Sequence, residues 1–212
     1  MRTYLPGCLL GLSAFLVVGF VACGETTSPT SPSGSSGSGR GTLVVRLTDL
    51  PYTAVALHVT FSDVSAHLSG EGGGWQSLFT TTETRTCDLN QLVNGVAVDL
   101  VGEDLPAGDY TQLRLTVSDA KLYFGGTAAG NICGEEITAP SETFASVEIP
   151  SGEIKLNRPF TLAATGMTTI ELDFDGDRSV KEIGNIGPAI PEDGRYRMTP
   201  VISVVSVVEQ GS

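Results

Sequence analysis

The sequence predicts an all-β protein: a single sandwich of the immunoglobulin-like or prealbumin-like sort, built from roughly nine or ten short strands. Three observations predict it. From Gly41 onward apolar and polar residues alternate, which is the period of a half-buried strand. Turn-forming residues recur about every eight to twelve positions, the spacing of short strands folded back on one another. Nowhere do apolar residues hold a helical spacing over three turns.

In chain order, the first segment lies outside the sandwich. Residues 1–22 carry one base, Arg2, and no acid, and residues 9–21 form an apolar run. That run is too short to span a bilayer comfortably and suits a cleaved export signal. Phe20-Val21-Ala22-Cys23 resembles a lipobox, with the small Ala22 before the cysteine and Phe20 in place of the usual Leu. The resemblance implies lipidation at Cys23, loss of Cys8 with the signal, and a membrane anchor. Each buried methylene contributes about 0.8 kcal/mol, so two acyl chains already give stable attachment. Gly24 after the cysteine implies transfer to the outer membrane in a Gram-negative cell. Residues 23–41 are almost all Ser, Thr, Gly and Pro. Such a segment cannot bury enough apolar surface to fold, and it reads as a tether spanning on the order of 20–25 Å.

Residues 42–209 carry the sandwich. Leu43, Val45 and Leu47 share one face of a strand, with Val44, Arg46 and Thr48 on the other. Val55, Leu57, Val59 and Phe61 repeat the pattern, with His58 and Thr60 opposite. His58 and His67 both fall opposite the apolar faces of their strands and are expected to meet solvent. Trp75 follows a glycine run and opens a strand; it is expected to pack on the core, with a sugar-stacking platform as the alternative. Residues 89–93 have room for one short turn. Leu105-Pro106-Ala107-Gly108-Asp109-Tyr110 resembles a tyrosine corner, in which the Tyr hydroxyl bonds back to the backbone at a crossing between sheets; a simple Pro-Gly turn with a half-buried Tyr is the equal alternative. Leu113, Leu115 and Val117 alternate with Gln112, Arg114 and Thr116, and Gly125 to Pro140 reads as a long loop within one domain. Ile170, Leu172 and Phe174 point inward, with Glu171, Asp173 and Asp175 outward. The run from Val201 to Val208 is apolar on both faces and suits a central strand.

Charge and cysteine usage narrow the function classes. The formal net charge is −12 with three lysines, Lys121, Lys155 and Lys181. No basic footprint for nucleic acid exists in such a chain, whereas cations or basic partners suit it. With Cys8 removed and Cys23 acylated, Cys87 and Cys133 remain as a pair. In an oxidising compartment they are expected to form a disulfide. Closing a loop of about 45 residues would stabilise the fold by about 4 kcal/mol in the chain-entropy model. No Gly-x-Ser-x-Gly elbow and no His-x-x-x-His pair occurs, so the chain is not expected to be an enzyme. Acids are too numerous for counting to exclude a glycosidase-type carboxylate pair.

One constellation has chemistry. Asp173, Asp175 and Asp177 stand at alternate positions before Ser179, an oxygen-rich set of the kind that calcium takes. Arg178 occupies the place where an EF-hand requires glycine, and no Glu closes the loop. Those acids also form the outward stripe of a strand, which is the simpler account.

Several segments occur in an order that resembles a known family. They are Leu47-Thr48-Asp49-Leu50-Pro51, Leu105-Pro106-Ala107-Gly108-Asp109-Tyr110, Ile149-Pro150-Ser151-Gly152, Leu172-Asp173-Phe174-Asp175 and Tyr196-Arg197-Met198-Thr199-Pro200. Together they resemble the domain of unknown function family numbered 4382, which is found on bacterial and archaeal lipoproteins. The resemblance implies an envelope address and a β-sandwich, and it supplies no catalytic residues. The Cys87 and Cys133 pair lies outside its pattern.

The expected function is therefore that of a membrane-anchored envelope lipoprotein. Its sandwich would bind an envelope protein or a glycan without chemistry, and without nucleic acid. Two alternatives stand: a structural or adhesive component assembling through sheet edges, and a calcium-dependent module using the Asp-rich loop.

Overall fold

Alternating strands hide their apolar faces only by stacking two sheets, and this chain does so. The computed structural model describes residues 39–80, 82–128, 130–183 and 196–211. The signal, Cys8, Cys23, most of the tether and the turn at Pro191 to Gly194 lie outside the described residues.

The first sheet has four strands. Its centre is β1 (Arg40–Leu50), with β5 (Val98–Pro106) antiparallel on one side. On the other side β11 (Met167–Asp175) runs parallel to β1, and β14 (Ile202–Gln210) closes the sheet antiparallel to β11. The second sheet has ten strands. Its spine is the antiparallel pair β2 (Ala56–Leu68) and β6 (Gly108–Tyr123). Short strands β3 (Gly74–Ser77) and β4 (Arg85–Asp88) pair with β2, and β7 (Cys133–Gly134) pairs with β4. Strands β8 (Ala145–Glu148), β9 (Glu153–Leu156) and β10 (Phe160–Leu162) pair with β6. Beyond β8 the sheet continues through β13 (Tyr196–Met198) to β12 (Val180–Glu182). The count is fourteen strands among the described residues, above the nine or ten expected, because eight of them are four residues or shorter and carry little alternation of their own.

Both sheets feed one core. Leu43, Val45 and Leu47 of β1 and Ile170, Leu172 and Phe174 of β11 meet Leu57, Val59 and Phe61 of β2 and Leu113, Leu115 and Val117 of β6. Each such side chain, fully buried, stabilises the fold by about 1.5–3 kcal/mol. The turn expected at residues 89–93 is a single 3-10 turn at Leu89–Gln91. Among the described residues of 124–144 the only strand is β7, as a long loop would have it.

The chain crosses between sheets at Pro106 to Gly108. Gly108 has φ +154°, and a Cβ there would meet Leu68 Cδ1 at 2.9 Å. Tyr110 then turns back: its hydroxyl donates to the Pro106 carbonyl at 2.7 Å, and its ring stacks on Phe160 at 5.1 Å. The tyrosine corner expected from the sequence is present, and burial pushes the Tyr110 phenol up to about 12.

The placements expected for the Val201 to Val208 run and for Trp75 need correction. The run ending in Val208 is not a central strand. Strand β14 pairs with β11 alone at the sheet edge, and a bulge between Glu171 and Leu172 displaces Val205, which is 57% exposed. The bulge interrupts the open edge, a common device against edge-to-edge pairing. Trp75 is not in the core. It lies half-buried on the outer face of the second sheet, with the Arg114 guanidinium 4.2 Å from its ring centre and the His67 ring edge-on at 5.1 Å.

Tyr110→Phe keeps the ring stack and removes only the hydroxyl bond. It is expected to lower unfolding stability by about 1–2 kcal/mol, read from the urea midpoint. An unchanged midpoint would mean that the bond does not hold the crossing.

Candidate functional site

The outer face of the second sheet follows from its inner face. Because Leu57, Val59 and Phe61 point into the core, His58 and Thr60 must point out. Cross-strand pairing then sets their neighbours. His58 stands opposite Lys121 of β6 and Asp88 of β4, and Thr60 stands opposite Asp119 and Thr86. The Thr60 and Thr86 hydroxyls share a hydrogen bond of 2.9 Å, Lys121 pairs with Asp119 at 3.2 Å, and the Tyr123 ring lies 4.7 Å from the His58 ring.

A solvated sheet face would end there, but this one is covered. Glu135 to Ala139, following β7, rise as a wall and enclose a cleft of about 240 Å³ over His58. Glu135 and Glu136 also line an adjoining groove of about 850 Å³, beside Thr80, Thr82, Thr84 and Asn131. Three contacts hold the wall. Cys87 and Cys133 are direct cross-strand partners joined by a disulfide. The Asp88 N–H donates to the Ile132 carbonyl at 2.8 Å, and the Asn131 side chain donates to the Glu136 carbonyl at 3.1 Å.

His58 is therefore not the solvent-facing histidine expected; it is 6% exposed. Its ring makes no hydrogen bond among the described residues, and its nitrogens keep their access to the cleft. Burial holds its pKa below the ordinary histidine value. The Asp88 charge opposes that shift and Lys121 adds to it, so the imidazole is neutral at pH 7. Asp88 is itself engaged, accepting from the Leu57 N–H at 3.2 Å and from Gln91 at 2.7 Å. Outward alternation was readable at His58; its cover was not, because the wall comes from a segment some 75 residues away in sequence.

The Asp-rich segment is distributed rather than gathered. Asp173 stays on the outer face of β11, with the Thr48 hydroxyl at 3.4 Å. Asp175 departs from the expected outward stripe. It is buried and caps the helical turn α1 (Gly176–Ser179), accepting the Arg178 N–H at 2.8 Å. Asp177 is exposed on that turn, and the buried Ser179 hydroxyl accepts the Val201 N–H at 2.8 Å. Among the described residues no three Asp, Glu, His or Cys side chains converge to hold a metal ion.

A different acid holds this end together. Asp49 of β1 is 5% exposed; one oxygen accepts the Gly176 N–H at 3.0 Å, and the other, Oδ2, has no partner. A Cβ at Gly176 would come within 3.3 Å of that oxygen. Burial pushes the Asp49 carboxyl up to about 8; the Gly176 N–H resists, while Asp173 and Asp175 add to the rise. In the sequence Asp49 stands only as a member of the Leu47 to Pro51 segment, with no sign of this burial.

Two predictions follow from these contacts. The folded Asp49 keeps its proton up to about pH 8, whereas an unfolded aspartate loses it near pH 4. Its contribution is thus fully present below about pH 4 and is lost as pH rises through about 8, by on the order of a few kcal/mol. Urea midpoints of the wild type should fall from pH 5 to pH 8.5, and Asp49→Asn should remove that fall; equal slopes would refute the assignment. Replacing both Cys87 and Cys133 by Ser opens a 46-residue span. The loss is expected to be at most about 4 kcal/mol, and amides 131–139 should exchange faster with solvent than those of β2 and β6. Unchanged exchange over the wall would show that the disulfide does not hold it.

No curated protein and no solved structure matches the chain. Residues 40–200 match the model of the domain of unknown function family DUF4382. The matched stretch contains both central strand pairs, the crossing at Tyr110, the cleft and the Asp49 strand end, so the chain belongs to the DUF4382 family.

Proposed function

We propose that the chain is a cell-envelope lipoprotein, anchored through Cys23, whose sandwich is a non-catalytic binding module presenting the cleft over His58. The observation that carries this reading is His58 itself. A buried imidazole without a hydrogen bond among the described residues, at the floor of a polar cleft, is a group with bonding capacity left for an occupant.

Further features support the reading. The Cys87–Cys133 disulfide fits an oxidising compartment outside the cytoplasm. The lipobox-like Phe20-Val21-Ala22-Cys23 and the Ser/Gly/Pro segment after it suit a lipid anchor and a tether. Absence of catalysis is supported by the company His58 keeps. The nearby Thr60 and Thr86 hydroxyls are bonded to each other and Cys87 and Cys133 are in the disulfide, so none of these four side chains is a free hydroxyl or thiol nucleophile for the imidazole to activate.

One experiment tests anchor and binding together. Cells fed radiolabelled palmitate are expected to label the wild-type chain and not Cys23→Ser. The unlipidated chain from Gly24 onward should be retained on isolated envelopes, and Thr60→Trp, which fills the cleft, should reduce retention at least tenfold. Palmitate label persisting in Cys23→Ser would overturn the anchor. Equal retention of wild type and Thr60→Trp would overturn the cleft as the binding surface.

A further inference from the structure

We propose that the occupant of the cleft is a neutral saccharide chain, one sugar ring seated over His58 and the following units lying along the groove beside Thr80, Thr82 and Thr84. The proposal rests on the binding reading above and adds the chemical class of the ligand.

Size and shape point to it first. The cleft over His58, at about 240 Å³, is smaller than a drug-sized pocket, which begins at about 300 Å³. It suits a single ring. It does not end blindly: Glu135 and Glu136 border both it and the 850 Å³ groove. A small space and a larger one that share a border fit a chain of similar units better than one compact molecule.

The lining chemistry selects hydroxyl groups. A sugar hydroxyl both donates and accepts, so its best neighbours offer both functions side by side. Neutral His58 supplies one donor and one acceptor at the floor, neither engaged among the described residues. Glu135 and Glu136 at the shared border are acceptors without ion-pair partners among the described residues. The groove adds the Thr80, Thr82 and Thr84 hydroxyls and Asn131, which can donate or accept through their side chains.

Charge excludes the anionic competitors. The cations that line the two spaces are each engaged: Lys121 with Asp119 at 3.2 Å and Arg85 with Glu83 at 2.9 Å. Glu135 and Glu136 are left uncompensated on a chain of net charge −12, so uronic acids and phosphorylated ligands are repelled. A cationic group would not be repelled, since Lys121 is paired with Asp119 and the border carries Glu135 and Glu136. Against it stands the neutral donor–acceptor pair of His58 at the floor, and titration with tetralysine separates the two. A neutral polyol meets no repulsion from either sign of charge.

The molecule carries its own reporter, because His58 and His67 are its two histidines. They give two imidazole Hε1 signals, assignable with His67→Gln. The unlipidated chain from Gly24 onward is titrated with three neutral tetrasaccharides (gluco-, manno- and N-acetylglucosamine-type), a polyuronate tetramer and tetralysine, in 0.05 M and 0.5 M NaCl. At least one neutral tetrasaccharide is expected to move the His58 signal and leave His67 in place. Its dissociation constant should be in the millimolar range or tighter, within twofold at the two salt concentrations. Thr60→Trp, with undisturbed His67 dispersion as proof of folding, should weaken binding at least tenfold. Glu135→Gln with Glu136→Gln is a second, milder variant and should weaken it several-fold.

A response to tetralysine alone that salt abolishes would overturn the saccharide in favour of a basic peptide. No response to any neutral tetrasaccharide would overturn it too, and continued envelope retention of the wild type would then leave the binding reading standing. A saccharide response that Thr60→Trp does not weaken would place the sugar elsewhere and overturn the proposal.

Discussion

The antiparallel ladder between β2 and β6 is the constraint on which the rest of the molecule depends. Side chains alternate strictly across a strand, so committing Leu57, Val59 and Phe61 to the core sends His58 and Thr60 to the opposite face. The same ladder fixes what lies beside them. A slip of one residue would send His58 into the core and bring a leucine or valine to the surface, at the cost of an unbonded imidazole inside an apolar layer. Register in this ladder is therefore held by the core, and the composition of the outer face follows from it.

What turns that face into a cleft is a second, weaker device. The segment after Tyr123 contains one two-residue strand and little apolar surface, so its position depends on the disulfide and on a few backbone bonds to β4. Cross-linking a loop chiefly removes freedom from the unfolded chain, but here it also places Glu135 and Glu136 over His58. Stability and site geometry thus share a covalent bond. The division of labour is a familiar one: a rigid sheet supplies the floor, and a loop supplies the wall.

At the opposite sheet, burial creates a different tension. The parallel pairing of β1 with β11 carries Asp49 inward next to Phe174, while Gly176, lacking a side chain, brings its N–H onto one carboxylate oxygen. The remaining oxygen has no partner, and the resulting preference for the protonated form ties this strand end to pH. Asp175 is drawn inward at the same place because the helical turn needs a cap for the Arg178 N–H. Asp175, expected on an outward stripe, and Asp49 are thereby both buried, each bonded to a backbone N–H.

Local pattern by itself determined the sheets and the two faces of each long strand, since alternation at Leu43 to Leu47, Leu57 to Phe61 and Ile170 to Phe174 is a property of neighbours in sequence. The same holds for the tyrosine corner, whose bond spans four residues, and for the pairing of Cys87 with Cys133, the two cysteines of the strand-forming region. Tertiary structure alone decided which strand ends a sheet, what covers an outward face and which polar group loses its water. Strand β14 reads as central because Val, Ile and Ser alternate too weakly to mark an outer face, yet its one neighbour is β11. Trp75 left the core because Arg114, 39 positions away, offered its guanidinium face on the outside of the sheet. Exposure at His58 and Asp49 depends on residues at least 77 and 127 positions distant, and no local pattern encodes a contact at that range.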